Sequence, residues 1–232
     1  MKQIIAIGGG GFGREIKDLK IEQYIVNQCQ KEKPSICFIP TATGDDIGYI
    51  ENFYKAFDSL NCKTSHIDFF KRTINLEKHI NNQDIIFVGG GNTKSMLAVW
   101  REWKLDEILH KAYIKGTIMS GVSAGAICWF EKGITDSWKD HQAILPCLGF
   151  VKGICCPHYD EEPERIPFVN QILNDDLISE CIAVEGFCAL HLINDLPKYS
   201  VSFGNNKNCF LVNKKDSIIC NNKIKNTELI QL

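Results

Sequence analysis

At 232 residues, with 26 Lys and Arg against 28 Asp and Glu and a formal net charge of −2, the chain has no cationic stripe, so neither nucleic acid nor an acidic membrane surface is an expected partner. It is long enough to bury the core of one large α/β domain, 1–232, without disulfide or metal staples. Its 11 cysteines are odd in number, sit in apolar runs and form no Cys-x-x-Cys pair, which reads as reduced thiols in a cytoplasmic protein.

The opening run 3–7 is too brief for a signal peptide and leads straight into glycines, so it reads as a first strand. Gly8-Gly-Gly-Gly-Phe-Gly13 then satisfies the G-x-G-x-x-G pattern of a dinucleotide loop. The acid that should end the second strand and hold a ribose is missing, since Ile36-Cys-Phe-Ile-Pro-Thr41 runs into proline and threonine. A close-approach loop beside the active site is the reading that remains. Further strands are expected at 35–39, 63–67, 84–88 and 116–120, separated by helical patterns at 14–29, 48–60 and 94–111. That alternation predicts a parallel, doubly wound sheet. Later short strands at 153–156, 181–184 and 188–192, and a hairpin of 208–212 with 217–220, are expected as antiparallel edge strands appended to it.

The most informative stretch is Thr117-Ile-Met-Ser-Gly-Val-Ser-Ala-Gly-Ala126, an apolar strand running through a small-residue turn into a helix. A serine at such a turn is held in a strained conformation and needs small neighbours two positions before and after, which Gly121 and Gly125 supply. The pattern reads as a nucleophile elbow, with Ser123 lifted off the sheet and the Ala124 N–H at a helix start, able to hold an oxyanion. Gly89-Gly-Gly-Asn-Thr93 follows the fourth strand at the same C-terminal edge, where ligands of open α/β sheets gather. Gly90, ahead of Gly91, is therefore the second oxyanion candidate. Asn92 is either a helix cap or a substrate contact.

A serine hydroxyl needs a base, and histidine suits that work near neutrality. His66, His79, His110 and His141 lie in polar or helical patterns, and His191 ends an apolar strand as a core histidine would. His158, in a loop just past Cys155-Cys-Pro157, is presented as a base should be. Three carboxylates are open as the orienting acid: Asp160, Asp136 and Glu185. Burial favours Glu185, because an unpaired charge inside the apolar run 181–192 would be costly.

Ile85-Ile-Phe-Val-Gly-Gly-Gly-Asn-Thr93, Met96-Leu-Ala-Val-Trp-Arg101, Gly121-Val-Ser-Ala-Gly-Ala126 and Cys156-Pro-His-Tyr159, in that order, resemble the dipeptidase E family of serine peptidases, whose relatives include cyanophycinase. The resemblance implies a flavodoxin-like, mostly parallel sheet with helices on both faces, related to class I glutamine amidotransferases. It implies a triad of Ser123, His158 and Glu185, with an oxyanion hole from Gly90 and Ala124. The implied reaction is hydrolysis of short peptides, with no metal or organic cofactor, by a monomer or homodimer. The chain departs from the family after the histidine: Asp160-Glu-Glu-Pro-Glu-Arg-Ile-Pro167 stands where the family binds an aspartyl side chain. That acidic rim, with Asp160 as a candidate substrate contact, is expected to favour a free peptide α-amino group. The same triad would serve an esterase or amidase, and the fold without catalysis would serve small-molecule binding.

Overall fold

A computed structural model of the chain describes residues 1–14, 18–204 and 206–224. Five parallel strands, β1 (Gln3–Ile7), β2 (Ser35–Ile39), β3 (Lys63–His66), β4 (Ile85–Val88) and β5 (Ile118–Val122), form a sheet in the order β1-β5-β4-β2-β3. Their central members are continuous apolar runs because both faces are covered. Ile5, Ile7, Phe38 and Phe87 meet α1 (Lys20–Asn27) and α2 (Ile47–Ser59) on one face. Ile4, Ala6, Ile86 and Val88 meet α3 (Leu76–Ile80), α4 (Thr93–Glu102) and α5 (Leu105–Lys115) on the other.

The expected strands therefore form a doubly wound α/β sheet, with two local differences. The helical pattern at 94–111 is two helices, broken where Lys104 takes a left-handed φ of 54° and starts α5. The pattern at 14–29 becomes helical only at Lys20, and its residues 15–17 lie outside the described ones.

After β5 the elbow helix α6 (Ala124–Ile127) lasts a single turn before β6 (Phe130–Thr135) begins a second sheet. β7 (Ala143–Pro146), β8 (Val151–Cys156), β9 (Glu180–Val184), β12 (Cys209–Lys215) and β13 (Ile218–Lys223) join it in the order β13-β12-β9-β8-β6-β7. Helix α7 (Arg165–Asn174) covers one face of it through Val169, Ile172 and Leu173. Only β10 (Cys188–Ile193) and β11 (Leu196–Ser202) extend the first sheet antiparallel, beyond β1. The expectation that all the late strands sit on the main sheet is thus corrected. β6, unrecognised in the sequence, supplies a parallel edge on which β8 pairs. Trp129 and Phe130 carry the core beneath α4 and α5 on to Val151 and Cys155 of the second sheet. Among the described residues no helix is long and apolar enough to cross a membrane.

Candidate active site

Ser123 stands where β5 gives way to α6, at φ 57° and ψ −111°, a conformation few L-residues tolerate. The turn is possible because Gly121 and Gly125 have no side chains: a Cβ on Gly125 would lie 2.2 Å from the Val88 carbonyl oxygen, and one on Gly121 2.5 Å from that of Gly125. The Ser123 N–H donates to Ile7 O at 3.0 Å, tying the elbow to the end of β1.

His158 arrives from the second sheet. β8 ends at Cys156, Pro157 stops the strand, and His158 turns at φ 52°. Its N–H donates to Gly8 O at 3.1 Å and that of Tyr159 to Val184 O at 3.2 Å, so the turn hangs from the ends of β1 and β9. The N–H groups of Glu161 and Glu162 close the turn onto His158 O at 3.0 and 3.1 Å. His158 Nε2 consequently lies 2.8 Å from Ser123 Oγ, and Nδ1 lies 2.7 Å from Glu161 Oε2. With Nδ1–H donated to the carboxylate, Nε2 is the tautomer's free lone pair, facing the serine hydroxyl.

The acid behind the imidazole is Glu161 rather than Glu185, Asp160 or Asp136. Glu185 Oε2 accepts the Asn208 N–H at 2.7 Å, so this half-buried carboxylate finds its partner in the backbone that starts β12. The burial argument correctly demanded a partner and misjudged which. Asp160 Oδ1 accepts the Gly186 N–H at 2.8 Å, and its other oxygen pairs with Lys207 Nζ. Asp136 is exposed and lies 3.3 Å from Arg165. Burial pushes the Glu161 carboxyl up, but hydrogen bonds from His158 and Arg14 reverse that and hold it at about 2.

The other candidates fall around this centre. Gly90 borders the nucleophile, since a Cβ built on it would lie 3.3 Å from Ser123 Cβ, and its N–H makes a long 3.4 Å contact with Tyr49 Oη. Ala124 is the first residue of α6, directly after the serine. Asn92 is a helix cap: its Oδ1 accepts the Ser95 N–H of α4 at 2.9 Å, and its Nδ2 donates to Ser137 O at 3.1 Å. His191 is the core histidine expected, set between Tyr24 Oη at 2.7 Å and Gln3 Oε1 at 3.0 Å and pushed by burial down to about 4. A cavity of about 550 Å³ opens beside Ser123 and His158, with Arg14, Asp46, Tyr49 and Gly90 in its wall. Among the described residues no group of three or more His, Cys, Asp or Glu could hold a metal ion.

Two residues escaped the sequence reading. Glu161 belongs to the segment read as an acidic rim for the substrate, and Arg14 to the start of the helical pattern at 14–29. The available signal was spacing: three residues past a histidine in a tight turn is one side-chain reach from its ring.

A serine, histidine and carboxylate in this relation, at the C-terminal edge of an open α/β sheet, are the arrangement of hydrolases that cleave acyl bonds. Known sequences narrow that class to one lineage. The chain belongs to peptidase family S51, whose model matches residues 4–198, so the resemblance to dipeptidase E holds at the level of family. It is 48% identical over 196 residues to the uncharacterized peptidase YgaJ of Bacillus subtilis, covering 84% of this chain and 85% of that protein. The uncharacterized peptidase Lmo0363 of Listeria monocytogenes is 27% identical over 138 residues, 56% of this chain and 67% of its own. In fold, the chain is similar to the crystal structure of a peptidase from an acI-B1 Actinobacterium, with a TM-score of 0.67 at 16% identity over 98% of this chain and 96% of that one.

Proposed function

We propose that this peptidase is a serine exopeptidase that cleaves short peptides through Ser123, His158 and Glu161. One observation carries the reading: a strained serine bonded at 2.8 Å to an imidazole whose far nitrogen is bonded at 2.7 Å to a carboxylate. As Oγ attacks the first peptide carbonyl, its proton passes to His158 Nε2 and the carbonyl π electrons move onto oxygen. The Ala124 N–H and the Gly90 loop are the donors for that oxyanion. Nε2–H then protonates the leaving nitrogen as the C–N bond breaks, leaving an ester on Ser123. Water, deprotonated by the same Nε2, attacks the ester and frees the enzyme. Glu161 stays ionised throughout and stabilises the imidazolium each time it forms.

Preference for a free N-terminus is supported by Glu162. Its Oε1 lies 4.0 Å from His158 Nε2, on the side where Ser123 sits, while its Oε2 is gripped by the fully buried Arg165 at 2.6–2.7 Å. With Oε2 held by Arg165, Oε1 is a fixed carboxylate acceptor placed to receive a substrate α-ammonium. The cavity volume suits a substrate of a few residues.

The test is fluorophosphonate labelling of the full chain, followed by hydrolysis of dipeptides, N-acetylated dipeptides and p-nitrophenyl esters. Labelling should vanish in Ser123→Ala and persist in Ser137→Ala, whose hydroxyl is bound to Thr135 and Lys94 N. Free dipeptides should be cleaved faster than acetylated ones. An unlabelled chain overturns the reading, and labelling with ester turnover alone replaces the peptidase step with an esterase one.

A further inference from the structure

We propose that Arg14 is a positioning residue of this relay, clamping the Glu161 carboxylate in line with His158 Nδ1, and that the glycine-rich turn after β1 is its carrier. The inference rests on the serine-peptidase reading above and adds a residue to it. Glu161 is a long, half-buried side chain on a turn, which without restraint would spend much of its time turned to water. Arg14 removes that freedom with a two-pronged grip: Nη1 donates to Oε1 at 2.5 Å and Nη2 to Oε2 at 2.9 Å. The planar fork fixes the plane of the carboxylate as well as its distance, which a lysine ammonium cannot do. Nη2 also lies 3.2 Å from His158 Nδ1 because both nitrogens donate to the same acceptor, Glu161 Oε2.

Bare backbone closes the remaining sides of the carboxylate. A Cβ on Gly9 would lie 2.5 Å from Glu161 Oε2 and 2.8 Å from His158 Nδ1, and one on Gly186 would lie 2.2 Å from Glu161 Cδ. Glycine at these two positions is thus a condition for the pair to sit where it does.

The carrier itself is anchored from below. Phe12, two residues before Arg14, is buried among Phe38, Tyr49, Phe53, Phe57 and Phe87, with ring centroids 5.1–5.9 Å away. Its N–H donates at 2.7 Å to Oε1 of Glu22, a carboxylate with no solvent exposure. Gly10 and Gly11, at φ 102° and 80°, let the chain double over this anchor and deliver Arg14 to the cavity wall. The match to a dinucleotide pattern is explained by this geometry without a nucleotide.

The charge of Arg14 adds an effect that packing alone would not. The charged groups facing the imidazole are Arg14 and Glu161 at Nδ1 and Glu162 at Nε2, the last itself paired with Arg165. Deleting the Arg14 cation removes the positive charge at Nδ1 and leaves Glu161 with the ring as its remaining charged partner.

The experiment compares wild type, Arg14→Ala, Arg14→Lys and Gly186→Ala as full chains. The readouts are fluorophosphonate labelling rates, kcat and KM on a dipeptide, and the NMR resonance of the His158 Nδ1 proton. Arg14→Ala should label and turn over about 10–100-fold more slowly, as expected for misalignment of a catalytic pair. Its KM should change little, and its Nδ1 proton resonance should move. Arg14→Lys should recover only part of the rate, because an ammonium cannot make the two-pronged grip. Gly186→Ala, which disturbs Glu161 from the opposite side, should slow the reaction without moving KM. The proposal is overturned if Arg14→Ala matches wild type while Ser123→Ala is dead, or if only KM rises, which would make Arg14 a substrate anchor. If wild type itself is unlabelled the peptidase reading fails, and the Nδ1 proton still decides the clamp: an unchanged resonance in Arg14→Ala refutes it.

Discussion

Ser123 takes its conformation from its immediate neighbours, with glycines two residues to either side and a strand and a helix meeting at the turn, whereas His158 and Glu161 are held by Gly8 and Val184 and gripped by Arg14, all remote in sequence. The elbow is a local steric solution and can be recognised from a pentapeptide. The histidine turn is a tertiary one, assembled where the two sheets meet. The difference teaches that a nucleophile can be inherited as a short word, while the base and its acid depend on how separate strand ends are brought together.

The strongest way to break the comparison is at the acid. Glu161→Gln should lower kcat by roughly 10³–10⁴-fold, the scale known for loss of a triad carboxylate, with the fold retained. Glu185→Gln should leave kcat within about threefold and instead lower stability by about 1–2 kcal/mol in urea unfolding, because it weakens a charged acceptor on a backbone N–H. Equal kinetic loss in the two variants would contradict the geometry.

At the elbow, Gly125→Ala forces a Cβ against the Val88 carbonyl oxygen and should cost about 1–3 kcal/mol while suppressing labelling of Ser123. Retention of wild-type labelling would mean that the turn is less constrained than its dihedrals imply. A smaller effect is expected at Glu162→Gln: the ratio of rates for free against acetylated dipeptides should fall by about tenfold, the scale of one charge contact.

The subtlest effect concerns Glu22, which supports the loop that carries Arg14. Burial raises its carboxyl above the ordinary range despite the bond from Phe12. A group whose folded value is raised contributes stability that is complete below its unfolded value and is lost as pH rises through the folded one. Between about pH 4 and pH 8 the urea midpoint of wild type should therefore fall relative to that of Glu22→Gln, a difference from which the opposite trend set by the lowered His191 cancels. A variant with the same slope as wild type would assign the pH dependence elsewhere.

Legibility varied with the range of the forces involved. The five parallel strands could be read because burial on both faces demands unbroken apolar runs, and the helices between them because one face must be polar. The second sheet could not, because β6 begins one turn after the elbow, where a longer helix is the default expectation, and its discovery changes the partners of β8 and β9. Asn92 was open between two roles and is the cap, a local bond to Ser95 N that competes well with any distant use. Glu185 drew notice for interrupting an apolar run, yet a backbone N–H from β12 satisfies it as well as an imidazole would.

What the order of residues determined alone was the kind of protein: a doubly wound α/β sheet, its family, and a serine at a turn that only small neighbours permit. Those features follow from periodicity and from a short pattern of small residues, even though the room that Gly125 leaves is for Val88 on the neighbouring strand. Which carboxylate stands behind His158, and which cation stands behind that carboxylate, was decided only when β1, β8 and β9 converged. The physical reason is that hydrogen bonds and charges act through space, so their partners are chosen by proximity after folding and leave no periodic trace in the chain.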